Sequence, residues 1–270
     1  MMKKIPKKVL TIGGWDPCGA FGVAADIKTF SAMNCYGMAA MTVTTAQNSL
    51  GWHGAEFVSA ELVAKQLDAV LSDYGAQAVK TGFLGKLDII ETVAAKLKEY
   101  AVPNVIIDPV LLNAQGAAMF PAEVVDAYKN QLFPLATAIT PNKRELNWLM
   151  TGETDPLAWT DASQEQVVSF AKLLDPAIVL KGVQLDDGHW ADGLVDNGEI
   201  ALFSHERVET QNVSGTGDSL SAAICCLLAE GLSLKDAVEK ASQLTTKAIA
   251  GAAGWQLGTG PGAINHNLMR

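Results

Sequence analysis

The chain has 270 residues, 49% hydrophobic and 18% charged, with a formal net charge of -9. That acidity argues against nucleic acid as the main partner, because backbone binding needs clustered Lys and Arg, and no apolar run approaches the ~18 residues of a membrane span. The basic start MMKKIPKK runs through a short apolar stretch into glycines and Asp16, so no secretory signal is expected and the chain reads as one cytoplasmic domain over 1–270.

In chain order, strand-like runs fall at VLTIGG (9–14), YGMAAMTVTTA (36–46), QAVKTG (77–82), NVIIDPV (104–110), ATAITP (136–141) and AIVLKG (177–182). Helical patterns lie between most of them. SAELVAKQLDAVLSDY (59–74) opens with Ser59 as an N-cap and repeats apolar residues at Leu62, Val63, Leu67, Val70 and Leu71, the spacing of one buried face. DIIETVAAKLKEY (88–100) repeats the device with Asp88 at its start. Strands alternating with helices predict an α/β fold whose parallel sheet is covered on both faces. After 182 the pattern changes, and GHWADGLVDNGEIALFSHERVE (188–209) reads as antiparallel strands around an Asn197-Gly198 turn. Two helical segments follow, 214–232 and 233–251, and then a glycine-rich, irregular tail.

The first strand runs into GGWDPCGAFG, where Gly14 and Gly19 have the spacing of a Walker A loop. Ala20 and Phe21 stand where that motif needs Lys and Ser or Thr, so the strict motif fails. A strand, glycine turn and helix still make a binding edge in an α/β sheet. No GxGxxG with a following acidic residue is present, which removes a dinucleotide-dependent redox enzyme. Cys18, Cys35, Cys225 and Cys226 form no CxxC pair and read as buried structural thiols, and the four scattered histidines make a histidine-built metal site improbable.

The sharpest chemistry lies in SGTGDSLSAAI (214–224). Gly215 and Gly217 flank Thr216 immediately before a helix, so backbone N–H groups and the helix terminus can form an oxyanion cradle. Asp218 opens the same helix, where a carboxylate either caps it or accepts the proton of a hydroxyl attacking a γ-phosphate. In ITPNKRE, Asn142 and Glu145 lie three apart after Pro141, as a helix cap or as hard oxygen groups around a hydrated magnesium. Asp108, Lys181 and the pair Lys80 and Thr81 each follow a buried run, at the carboxyl edge of the expected sheet.

Taken together, LTIGGWDPCGAFGVAADIKTFSAMNCYGM, TVTTAQNSLG, VKTGFLG, VIIDPV, ITPNKREL, VLKG and GTGDSLSAAI resemble the ribokinase-like superfamily, in its branch of hydroxymethylpyrimidine (phosphate) kinases and pyridoxal kinases. The resemblance implies a three-layer α/β/α sandwich with a mainly parallel central sheet, ATP as donor, magnesium and a homodimer. By resemblance Gly215, Thr216 and Gly217 form the anion hole and Asp218 acts at the substrate hydroxyl. Asn142 and Glu145, with Lys181 and Asp108, hold the nucleotide; Asp108 and Glu145 organise magnesium through water. The first loop then belongs to the acceptor, with Asp16, Phe21 and Asp26 joined by Gln47, Phe83 and Val110. Where hydroxymethylpyrimidine kinases read GGAG, GTGC and KGGH, this chain reads GAFG, GTGD and KGVQ. The N-terminal half therefore implies a pyrimidine acceptor, 4-amino-5-hydroxymethyl-2-methylpyrimidine, and the C-terminal half partly a pyridine such as pyridoxal, pyridoxine or pyridoxamine. A vitamin-precursor binder without catalysis is the remaining alternative.

Overall fold

The computed structural model describes residues 5–113 and 115–270. Among these, nine strands form one sheet: β1 (Lys8–Trp15), β2 (Tyr36–Asn48), β3 (Gly51–Phe57), β4 (Ala78–Thr81), β5 (Val105–Ile107), β6 (Ala138–Ile139), β7 (Ala177–Gln184), β8 (Trp190–Asp196) and β9 (Glu199–His205). Their spatial order is β3-β2-β1-β4-β5-β6-β7-β8-β9. The run from β2 to β7 is parallel, while β3 at one edge and β8 and β9 at the other are antiparallel. The hairpin around Asn197-Gly198 forms as its turn sequence demands, with both residues at positive φ.

Eight α-helices complete the described fold: α1 (Gly22–Ala32), α2 (Ala60–Asp73), α3 (Leu87–Glu99), α4 (Ala122–Ala127), α5 (Lys143–Thr151), α6 (Asp161–Ala171), α7 (Thr216–Ala229) and α8 (Leu234–Ala250). Ser59 caps α2 by accepting the Leu62 N–H, whereas Asp88 sits inside the first turn of α3. Two apolar layers enclose the sheet. Leu10, Ile12, Val79, Val105, Ile107, Ile139, Ile178 and Leu180 point toward α2 to α6, while Val9, Ala78, Ile106, Ala138, Ala177 and Val179 point toward α1, α7 and α8. This is the period of two expected of strands buried on both faces.

One strand lies outside the sequence reading, and two are shorter than expected. Residues 51–57, GWHGAEF, show no strand pattern, yet pair antiparallel with β2 as β3, an extension that depends on the partner strand rather than on propensity. The runs at 104–110 and 136–141 keep only three and two residues in the sheet. The chain leaves the sheet just before Asp108 and Asn142, which delivers both to its carboxyl edge. The chain moves from β1 to β2 on one side and later to β4 on the other, so the strand order reverses at β1, the position where open α/β sheets bind ligands.

Candidate active site

The loop after β1 is organised by its own aspartate. Asp16 is buried, its Oδ1 accepting the Cys18 N–H at 3.0 Å and its Oδ2 accepting the Ala20 and Phe21 N–H groups, both at 2.9 Å. Burial opposes its charge, but hydrogen bonds from Cys18, Gln47 and the loop amides outweigh it and hold the carboxyl below its usual range. Asp16, expected at the acceptor end, braces the loop from within, with Gln47 on the adjacent β2 as one of its partners. Gly22 is left-handed, and a Cβ there would lie 2.4 Å from the Gly14 carbonyl, so the loop closes tightly against β1. Phe21, held by its backbone, keeps its ring 40% exposed. Cys18 is exposed, contrary to the buried-thiol reading that Cys35, Cys225 and Cys226 do satisfy.

Behind the loop lies a charged cluster that the sequence reading did not assemble. Lys80 alternates with Val79 along β4 and so points to the α1 and α7 side, fully buried. Its Nζ donates to Asp26 Oδ1 of α1 at 2.6 Å and to Asp218 Oδ1 of α7 at 3.0 Å. Thr11 Oγ1 of β1 donates to the other oxygen of Asp26 at 2.6 Å. Asp26, expected at the acceptor end, is 1% exposed and pairs with Lys80. The Asp218 side chain retains 15% exposure, enough to meet a ligand. Lys80 was marked only as a charge after a strand. The signal that would have found its role is a lysine placed in the sheet-facing register of an otherwise apolar strand, since a fully buried lysine requires acidic partners.

The GTG turn joins these parts. Gly215 caps α7 in the left-handed region at φ 77°, and α7 begins with no side chain capping it among the described residues. A Cβ on Gly215 would fall 1.7 Å from the Ala20 carbonyl oxygen, so turn and first loop pack backbone to backbone. The Gly217 backbone passes close to Lys181. Lys181 Nζ in turn donates to Asp108 Oδ1 at 2.8 Å, and Ser221 Oγ donates to Asp108 Oδ2 at 3.2 Å.

Asn142 and Glu145 form a capping box on α5: Asn142 Oδ1 accepts the Arg144 and Glu145 N–H groups, and Glu145 Oε2 accepts the Asn142 N–H. Glu145 Oε1 also accepts the Leu111 N–H at 3.2 Å. Burial, reinforced by the charge of Asp108 against the pull of Lys181, pushes the Glu145 carboxyl up to about 7. Among the described residues no three His, Cys, Asp or Glu side chains converge as a metal centre.

A cleft of about 530 Å³ collects Phe21, Val110, Asp108, Asn142, Glu145, Lys181 and the run Gly215 to Asp218. It also takes in Lys143 and Arg144 at the start of α5, two cations that the sequence reading passed over. Phe83 is not on that wall. It belongs to an aromatic group with Trp52, Phe57 and Phe120, at centroid distances of 5.6–6.3 Å, and its side chain approaches Gly14 at the end of β1. An acidic side chain at a bare helix terminus, lysines beside it and an aromatic ring opposite are the equipment of phosphoryl transfer to a small ring-bearing acceptor.

Known proteins bear directly on this arrangement. The phosphomethylpyrimidine kinase family profile matches residues 16–265. The chain belongs to the phosphomethylpyrimidine kinase family. Its activity class is accordingly that of a small-molecule kinase. A hydroxymethylpyrimidine/phosphomethylpyrimidine kinase of Bacillus subtilis is 38% identical over 96% of this chain and 94% of its own length. Its counterpart from Escherichia coli is 35% identical over 98% of each. Among solved structures, Bacillus subtilis pyridoxal kinase in an ADP complex superposes with a TM-score of 0.85 at 32% identity, covering 98% of this chain and 99% of its own. These likenesses agree with the ribokinase-like, mainly parallel three-layer fold. Among the described residues no helix is long and apolar enough to cross a membrane.

Proposed function

We propose that this chain, acting as one cytoplasmic domain and as a homodimer, transfers the γ-phosphoryl group of ATP to the hydroxymethyl group of a small aromatic heterocycle. Hydroxymethylpyrimidine is the leading acceptor and its monophosphate a second, after the names of the relatives at 35% and 38% identity. A pyridine of the pyridoxal type is the second reading, favoured by the pyridoxal kinase likeness and by Asp218 in the GTGD turn. The single observation that carries the proposal is Asp218 at the start of α7, partly exposed to the cleft that Phe21 and Lys181 also line.

In this reading the acceptor ring lies between Phe21 and Val110, with Gln47 and Phe83 bordering the loop side. Asp218 accepts the hydroxyl proton as the oxygen attacks phosphorus, a contribution of about 10² to 10⁴ in rate. The N–H groups of Gly215 and Gly217, with the α7 terminus, meet the charge developing on the transferred group, while the Thr216 N–H holds the turn to Val213. Lys181, the cap residue Asn142 and the α5 residues Lys143 and Arg144 face the nucleotide phosphates.

Magnesium fits this site through water. Asp108 and Glu145 already accept protein hydrogen bonds, so they offer a hydrated ion outer contacts rather than a direct ligand set. Burial first, and then the charge of Asp108, raises the Glu145 carboxyl, and a cation beside it would favour the charged form. Bound there, the ion would neutralise charge on the ATP phosphates.

The test is ADP release with Mg-ATP, offering hydroxymethylpyrimidine and pyridoxal separately to wild type and Asp218→Asn. Turnover of one ring that drops at least about 100-fold in the variant supports the reading and identifies the acceptor. Binding of a ring with no acceptor-dependent ADP would make the chain a noncatalytic binder.

A further inference from the structure

Lys80 and Asp26 do not line the cleft, yet both are buried directly behind Asp218. We infer that they form a counter-ion pair that orients Asp218 and sets its affinity for a proton, making both positioning residues for the transfer step. The inference rests on the reading of Asp218 as proton acceptor.

The geometry divides the two oxygens of Asp218 into separate roles. Lys80 Nζ binds Oδ1 at 3.0 Å, which leaves Oδ2 to take the acceptor's proton. Lys80 itself cannot swing away, because it is fully buried and held by Asp26 at 2.6 Å, which Thr11 fixes in turn. One backbone element supplies each member: β1 for Thr11, α1 for Asp26, β4 for Lys80 and α7 for Asp218.

Charge balance then accounts for two carboxylates and one lysine. A lone ammonium beside Asp218 would hold it as a carboxylate and make it a poor base. With Asp26 present, the trio carries one excess negative charge. When Asp218 takes a proton, a neutral Asp26–Lys80 ion pair remains. The trio thus binds a proton as a unit more readily than Lys80 and Asp218 alone would.

The surroundings agree. Burial, opposed by Lys80 and reinforced by Asp218, pushes Asp26 above the usual carboxylate range. Burial pulls Lys80 down, but Asp218, Asp26 and Asp108 together overcome it and keep the lysine charged. The other titratable groups facing the cluster are Asp108 just after β5, Lys181 from β7, Cys225 and Cys226 from α7, and His266 of the C-terminal segment, itself beside Lys28 of α1.

The experiment is the pH profile of kcat/KM, measured by ADP release for three variants. Asp26→Asn places the whole charge of Lys80 on Asp218, so the acid limb moves to lower pH by about one pH unit. Lys80→Met removes that charge, so the limb moves to higher pH by a similar amount. Asp26→Asn combined with Lys80→Met removes both charges and buries no unpaired ion. Its acid limb returns near the wild-type position while kcat stays about tenfold or more below wild type, because Oδ1 has lost its anchor.

A purely structural role would lower stability and leave the acid limb where it is. Coincident acid limbs in the folded variants, or undiminished kcat in the double variant, would overturn the inference. If Lys80→Met does not fold, the opposing readouts come from Asp26→Asn and the double variant. Asp218→Asn separates the two levels: an active Asp218→Asn removes the proton-acceptor reading itself. An inactive one with unmoved limbs in the other variants removes only the counter-ion pair.

Discussion

Gly215→Ala is the sharpest structural test of how the anion cradle is built. The substitution meets two obstacles. The residue sits at φ 77°, where a side chain costs about 1–2 kcal/mol. Its Cβ would also fall 1.7 Å from the Ala20 carbonyl oxygen, about 1.3 Å inside the closest approach a Cβ tolerates, and the opposing atom is backbone that cannot rotate away. The first loop and the GTG turn must therefore separate by roughly an ångström, and displacement of that size in a transfer site costs about 100-fold in kcat. Strain and overpacking together amount to about 2–4 kcal/mol, or a Tm lower by roughly 4–7 °C. Gly75→Ala is the control: it shares the left-handed backbone at φ 64°, but nothing lies within 4 Å of its Cβ. It should lose only about 1–2 kcal/mol and keep full activity. Measured by thermal unfolding and ADP release, equal behaviour of the two variants would refute the claim that loop and turn are locked backbone to backbone.

Phe21→Ala removes a ring from the cleft wall without opening the core. Acceptor KM should rise about 3- to 10-fold, with ATP KM and Tm unchanged; an unchanged acceptor KM would place the ring outside the acceptor site. His266, buried beside Ser219 with its ring nitrogen 3.1 Å from Oγ, is pulled down from 6.5 to about 4 by burial and by Lys28. Because the folded state resists protonation, its contribution to stability is complete above pH 6.5 and is lost as pH falls toward 4. Tm measured from pH 7 down to 4 should therefore fall less steeply in His266→Gln than in wild type, and parallel curves would count against the assignment.

Reading the sequence located the carboxyl edge because the strands carry their own signature. Asp108 and Lys181 reach the cleft that this pattern marks, whereas Lys80 stays buried within β4. The hairpin at Asn197-Gly198 was legible for the same local reason, since left-handed backbone selects such residues. Strand β3 was not legible, because GWHGAEF becomes a strand only by pairing with β2.

Within the site, the partners of Asp16 and Asp26 were not legible in the sequence. Both are acids near a glycine loop, and nothing in their neighbours distinguishes a ligand from a loop brace. What separates them is which groups stand opposite: the Cys18, Ala20 and Phe21 amides for Asp16, Lys80 and Thr11 for Asp26.

The sequence alone determined the α/β layering and the helix terminus at Ser59, because strand period and capping act over a few residues. It also placed Asp218 at the head of its helix. Only the tertiary structure decided that Lys80, 138 residues away in the chain, bonds that aspartate, and that Gly215 presses on Ala20. Those contacts depend on which strand lies next to β1 and which helix covers it, and charge pairing in a buried layer is set by that placement.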